Sequence, residues 1–281
     1  MNKNEEAGSS ATKKRISHRT IGTSQGHITR LVSPSDVGEM IKPFVFLDSF
    51  ASDPAAGPNF GFHPHSGIAT VTLIFSGEYN YEETTGAEGV LSAGSVEFMR
   101  ASGGVWHNGR PLGTELIKGF QLWLALPPEL ESAPSSSQYL AADEVVSEGP
   151  SRVIIGQHGG VTSPLPAPPG INYLDVQLND GEEWTYRLPD DHEVSWLALH
   201  DGQLKVPDLL EERELVVFGE SGREIRVQAV GKTRFILGSA VKHKHDLVLG
   251  RNSVHTSREA LASGVQEIKR IGEELRLAGR L

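Results

Sequence analysis

Three histidines carry the spacing of a metal site. In an extended segment, side chains two residues apart point to the same side of the strand. His63 and His65 of His63-Pro64-His65 would therefore aim their imidazoles at one point. His107 closes Gly104-Val105-Trp106-His107 after a separate β-rich stretch, and would add a third imidazole from a neighbouring strand. Three imidazoles from one side make half an octahedron, open on the other side to water or substrate. Neutral imidazole is the commonest protein ligand for first-row transition metals. The pattern predicts a mononuclear metal held inside a β-structure by His63, His65 and His107. A His-x-His pair alone is equally compatible with surface histidines or hydrogen-bonded core histidines, so its surroundings decide.

Those surroundings are short strands. Thr70–Phe75 is β-branched and apolar and is bounded by Ser76-Gly77. Val96–Met99 precedes the Ser102-Gly103-Gly104 turn, and Leu116–Leu126 runs into Pro127-Pro128. Residues 128–150 are rich in Ser, Pro and Ala and read as a connector, with a short helix expected near 141–146. The second half repeats the habit: Val153–Ile155, Tyr173–Leu178, Glu183–Leu188, Val194–Leu199, Leu215–Phe218, Glu224–Val230 and Arg234–Leu237 are strand candidates. Turn signals such as Asn179-Asp180-Gly181, Asp201-Gly202 and Ser221-Gly222 separate them. From Ser257 the period changes: Ala260, Leu261, Val265, Ile268, Ile271 and Leu275 recur at helical steps, with Thr256 or Ser257 as N-cap. The predicted fold is all-β, two antiparallel β-barrel (jelly-roll) domains with a C-terminal α-helix. The expected divisions are a disordered leader over 1–14, a first barrel carrying the site over 15–130, a connector over 131–150, a second barrel without metal over 151–255, and the helix over 256–281.

Composition narrows the function classes. The chain has 281 residues, 38% hydrophobic and 22% charged, the balance of an ordinary globular protein. It has no cysteine, which removes disulfides, thiolate ligands and cysteine nucleophiles and fits a reducing, cytoplasmic setting. A formal net charge of −10 argues against direct nucleic-acid binding. No apolar run is long enough for a transmembrane helix, and residues 1–6 have no secretory h-region. Lys13-Lys14-Arg15 reads as part of a solvated tail.

Several motifs resemble the pirin family of bicupins. His63-Pro64-His65-Ser66-Gly67-Ile68-Ala69-Thr70-Val71-Thr72 is similar to that family's H-P-H-R-G-F-E-T-V-T. Gly94–Met99 resembles its G-D-V-Q-W-M, Gly104–His107 its G-I-V-H, and Gly119-Phe120-Gln121-Leu122-Trp123 with Leu126-Pro127 its G-F-Q-L-W…L-P. Upstream, Pro43–Phe50 resembles P-F-L-L-F-D-E-F. The matches keep their order over about residues 40–128. The second half resembles the family only in length, strand content and a closing helix.

The resemblance implies a metal held by the two histidines of H-P-H, a third histidine and a glutamate from H-S-E. Here Gly109 stands where that glutamate would be, and Ala69 stands at the glutamate after H-P-H that ligates in many other cupins. Strand parity would turn both positions toward the metal, where neither side chain can ligate. Only the three histidines carry over, and the expected site is unusually open. Glu97, flanked by Val96 and Phe98, reads as an outward residue. Glu82-Glu83 reads as a solvated turn, His192 as surface, and His243-Lys244-His245 as a polar loop despite its ligand spacing. Ser66 replaces the family's arginine.

The resemblance further implies one divalent transition metal, iron first, with zinc, nickel, copper or manganese as the other ions that imidazoles suit. It implies oxygen-dependent cleavage of flavonols of the quercetin type, or of other enolic aromatics, in some members. In others it implies a regulatory role through protein partners. The enzyme reading expects a small anionic or enolic substrate and names no catalytic base. The alternatives are a non-catalytic, metal- or redox-dependent module that binds a protein partner, and a degenerate cupin whose metal site has been lost.

Overall fold

The computed structural model describes residues 13–55 and 60–281. Most of the expected leader lies outside the described residues. Within them, Lys14 is not part of a solvated tail: its side chain is buried and its Nζ donates to the Gly219 carbonyl at 2.6 Å.

The first half is built from β1 (Ile16–Thr20), β2 (Thr23–Gln25), β3 (Ile28–Val32), the short helix α1 (Val37–Ile41), β4 (Phe44–Ser52), β5 (Phe60–His65), β6 (Ile68–Ser76), β7 (Glu78–Glu83), β8 (Glu88–Ser92), β9 (Val96–Arg100), β10 (Val105–Leu112), β11 (Ile117–Ala125), the single turn α2 (Pro128–Glu131) and β12 (Ser136–Leu140). All of these strands except β1 form a seven-stranded sheet in the order β12-β9-β6-β11-β4-β3-β2 and a four-stranded sheet in the order β5-β10-β7-β8. All pairings between the strands of these two sheets are antiparallel. The all-β, antiparallel expectation is met. The two sheets face each other with separate edges, so the barrel over 15–130 is a pair of sheets here.

The other face of the seven-stranded sheet packs against the second half. Val71, Leu73, Phe98, Phe120 and Leu122 share one buried cluster with Tyr173, Trp196, Val217 and Ile236. The strands of β6 and β9 are therefore covered on both sides. The second half is a nine-stranded sheet, in which Glu224–Val230 and Arg234–Leu237 prove to be one strand, Glu224–Ala240. Gly231 sits inside it at φ +74°, a backbone angle that glycine adopts without steric cost.

Two segments cross the expected divisions. β1 pairs with Leu215–Phe218 and so belongs to the second half's sheet, although residue 15 was expected to open the first. Residues 248–255 form a small hairpin whose Val254 packs with Val45, Phe46, Ile68 and Met99 of the first half. The final helix α3 (Arg258–Leu277) is capped by Ser257, which accepts from the Ala260 N–H at 3.1 Å. It lies against the first half and contacts β10. Glycines form much of its inner face: Gly264 is buried over Ser66 and His255, and Gly272 over Trp106. The helix expected near 141–146 is a turn.

Candidate functional site

β5 and β10 bring the three histidines together. His107 stands opposite His63 and Val105 opposite His65 in the antiparallel register. Opposed residues share a face, and so do residues two apart, so the three imidazoles converge. Ring centroids are 4.2 Å apart for His63 and His107, 5.0 Å for His65 and His107, and 5.2 Å for His63 and His65. One nitrogen from each ring lies within 4.8 Å of the others, an arrangement that can hold a metal ion.

The hydrogen bonds choose which nitrogens are free. His63 Nδ1 lies 3.0 Å from the Gly61 carbonyl and His65 Nδ1 lies 3.0 Å from the Asn252 carbonyl. A carbonyl only accepts, so each Nδ1 carries the proton and each Nε2 keeps its lone pair. The Nε2 atoms of His65 and His107 are buried without a hydrogen-bond partner. Buried polar atoms left in this way are costly and need an explanation. Burial and the His63 charge bring the His65 pKa down to about 3; burial, with the same neighbours, pushes His107 well below its ordinary value. Burial also lowers His63. Each shift favours the neutral form that a metal requires. Trp123 packs its ring edge-on to His65 at 4.9 Å and stacks on Phe46 at 4.1 Å, which fixes the imidazole plane.

His63 and His107 open on a cavity of about 110 Å³ between the two sheets, room for several water-sized groups. Thr72, Ile74, Glu97 and Gln121 line it from the seven-stranded sheet; Tyr79, Tyr81 and Gly109 line it from the four-stranded one.

Several sequence expectations are corrected here. Ala69 does not face the histidines. Gly67, at φ +74°, separates β5 from β6, the two strands enter different sheets, and Ala69 joins the core toward the second half. Parity therefore does not carry across from His65. Gly109 does share the His107 face, but the space above it is filled. A Cβ at 109 would overlap Cε1, Cζ and the hydroxyl oxygen of Tyr79. The site is not vacated by small residues.

Glu97 points inward. It pairs with Thr72, is buried, accepts a hydrogen bond from the Thr72 hydroxyl and lines the cavity. Its apolar neighbours Val96 and Phe98 face the core between the halves, not solvent. Burial, with the Glu83 charge, raises the Glu97 pKa to about 7 against the hydrogen bonds from Thr72 and Tyr139. Glu83, opposite His107, is also buried; it accepts from Ser137 Oγ at 2.5 Å and from the Tyr139 hydroxyl. Tyr81 stacks on Tyr139 at 3.8 Å, and burial and the two carboxylates raise the Tyr139 pKa. A cluster of acids and phenols thus backs the cavity, and runs of Glu and Tyr in the sequence did not disclose it.

His192 is also buried and bonds Ser239 Oγ at 2.7 Å. Ser66 is wholly buried and bonds Ser253 Oγ at 2.8 Å and His255 Nε2 at 3.0 Å, while Glu131 lies 3.4 Å from His255 Nδ1. His243 is half-buried and His245 exposed; among the described residues only His63, His65 and His107 group as a set of three.

An all-β protein with paired antiparallel sheets and a three-histidine face on the cavity between them is the class that fold and site define. Residues 26–124 match the Pirin family model. A pirin-like protein of Caulobacter vibrioides is 32% identical over 220 residues, covering 75% of this chain and 79% of that protein. A Pseudomonas aeruginosa protein provisionally named a quercetin 2,3-dioxygenase is 32% identical over 234 residues, covering 72% and 79%. The crystal structure of a quercetin 2,3-dioxygenase from Acinetobacter baumannii superposes with a TM-score of 0.83 at 21% identity, covering 92% of this chain and 98% of that one. The chain belongs to the pirin family.

Proposed function

We propose that this chain is a metal-dependent oxygenase of the quercetin 2,3-dioxygenase type, with two cupin-type halves and its centre at His63, His65 and His107. The observation that carries the reading is the convergence of three neutral imidazoles, with the buried Nε2 atoms of His65 and His107 left unpartnered. A buried polar atom without a hydrogen bond costs about 1–3 kcal/mol, and an ion bound between the rings would offset that cost at both atoms. A bound divalent metal would supply Lewis acidity toward a substrate oxygen and a redox centre for dioxygen.

The chain's own residues supply the rest. His63 and His65 are oriented by carbonyls on their far nitrogens, so their lone pairs need not reorganise when a metal is bound. Ile74, Phe50 and Ile117 give the cavity an apolar wall for an aromatic ring. Glu97, held by Thr72, can take or return a proton near neutral pH, where its raised pKa leaves both forms populated. The substrate class is a small enolic or phenolic aromatic, whose deprotonated oxygen a bound cation would favour. Iron is the proposed metal. A cytoplasmic location fits the absence of cysteine.

The test is aerobic incubation of iron-loaded protein with quercetin, following dioxygen consumption and loss of the flavonol absorbance, with His107→Ala as control. Turnover in the parent but not the variant supports the reading. Full iron occupancy without turnover of quercetin or of simpler enols would leave a binding or regulatory module instead.

A further inference from the structure

Gly109 and Tyr79 read as one exchange. At position 109 the family resemblance expects a glutamate, and this chain has no side chain at all. β10 and β7 pair with Tyr81 opposite Gly109 and Tyr79 opposite Pro111, and the Tyr79 ring leans back over Gly109. Its hydroxyl reaches the point at which a side chain at 109 would begin. Tyr79 lines the cavity beside His63 and His107. Gly109 is thus required by close approach of the ring, not by its backbone angle, which is not among the positive-φ positions.

The exchange reverses the polarity of that corner. An ionised carboxylate only accepts hydrogen bonds and brings a negative charge; a phenol donates one and is neutral. Three neutral imidazoles leave a divalent ion with its whole charge, which favours anionic oxygen or nitrogen ligands from solution. A donor beside that position would steady such an anion, where a carboxylate would repel it.

We propose that Tyr79 is a specificity-determining residue: its hydroxyl donates a hydrogen bond to an anionic ligand seated against the His63–His65–His107 face, in the place the family gives to a carboxylate. The inference rests on the metal reading of that face. It selects anions such as enolates, phenolates or carboxylates over neutral ligands.

The test uses cobalt(II)-loaded full-length protein and azide as the anionic probe, read by the visible cobalt bands. Tyr79→Phe keeps the ring over Gly109 and removes only the hydroxyl. It should leave cobalt uptake unchanged and weaken azide roughly tenfold, the usual worth of a hydrogen bond to a charged group. Gly109→Ala, which drives the ring from its seat, should weaken azide similarly and serves if the first variant folds poorly. In the paired variant Tyr79→Ala/Gly109→Glu, cobalt should bind more tightly and azide more weakly than in the parent. Azide bound as tightly by cobalt-loaded Tyr79→Phe as by the parent overturns this inference alone. A parent that takes up no cobalt overturns the metal reading, and this inference with it.

Discussion

His65 Nδ1 lies 3.0 Å from the carbonyl of Asn252, a residue in the hairpin that leads into the last helix. The orientation of one member of the triad is therefore set by a segment far downstream. Ser66, next in sequence, continues the link through Ser253 and His255 to Glu131, and Gly264 of α3 closes over it. A Cβ at 264 would lie 2.6 Å from Ser66 Oγ and 2.7 Å from His255 Nε2. Gly264→Val should cost about 1–3 kcal/mol by overpacking, and should lower metal uptake because the His65 support shifts. Chemical denaturation and metal titration check both. The exposed neighbour Ala262→Ser should stay within about 0.5 kcal/mol of the parent. A Gly264→Val protein with the parent's stability would mean that α3 is not seated there.

Glu97 predicts a pH dependence with a definite sign. Its carboxyl ordinarily ionises near 4.5, but in the fold it holds its proton to about 7. Between those values the folded chain binds more protons than the unfolded one, so stability falls as pH rises across that window and levels off above it. The contribution is on the order of 3 kcal/mol. Glu97→Gln should flatten this slope, gaining on the parent at pH 8 relative to pH 5. Thermal melts at both values decide. Parallel pH profiles for the two proteins would place Glu97 in contact with water.

The joint between the halves predicts a larger loss. Asp175 is fully buried between Arg152, at 3.0 Å, and Arg234, at 2.7 Å; Arg152 also donates to the Gly94 carbonyl, and Arg234 lies 3.8 Å over the Phe75 ring. Asp175→Asn would leave two guanidinium groups without their counter-charge. A loss of about 3–5 kcal/mol is expected, as for breaking other buried pairs, read as a drop in urea midpoint. A loss below about 0.5 kcal/mol would mean that water already screens the pair.

The histidines were legible because their information is local. A His-x-His pair in an extended strand fixes one face, and the turn before Gly104 brings back a second strand. The apolar strands of both halves were legible for the same reason, since β-branched runs end at Gly and Pro; the polar strands Glu78–Glu83 and Ser136–Leu140 were not, and read as turn and connector. What failed was every inference that needed to know what lies beyond the strand. Glu97 and Glu83 were read as solvated because charged residues usually are; β9 is in fact covered on both faces. Ala69 was assigned a direction by counting along the chain, and Gly67 resets the count. The position of β1 in the second half's sheet is a long-range pairing with no local signature. Tyr79 over Gly109 belongs to the same class: Gly109 stood out only as a missing glutamate, and the ring that fills its space shows only in their contact.

The most direct test is elemental analysis of untagged protein, with the metal titrated into the apo form to saturation, for the parent and for His63→Ala, His65→Ala and His107→Ala. The parent should bind one transition-metal ion per chain, and each variant should lose it while keeping the parent's fold by circular dichroism. His243→Ala and His245→Ala should leave the stoichiometry at one. A folded parent that binds no metal, or folded triad variants that bind as much as the parent, would contradict the account.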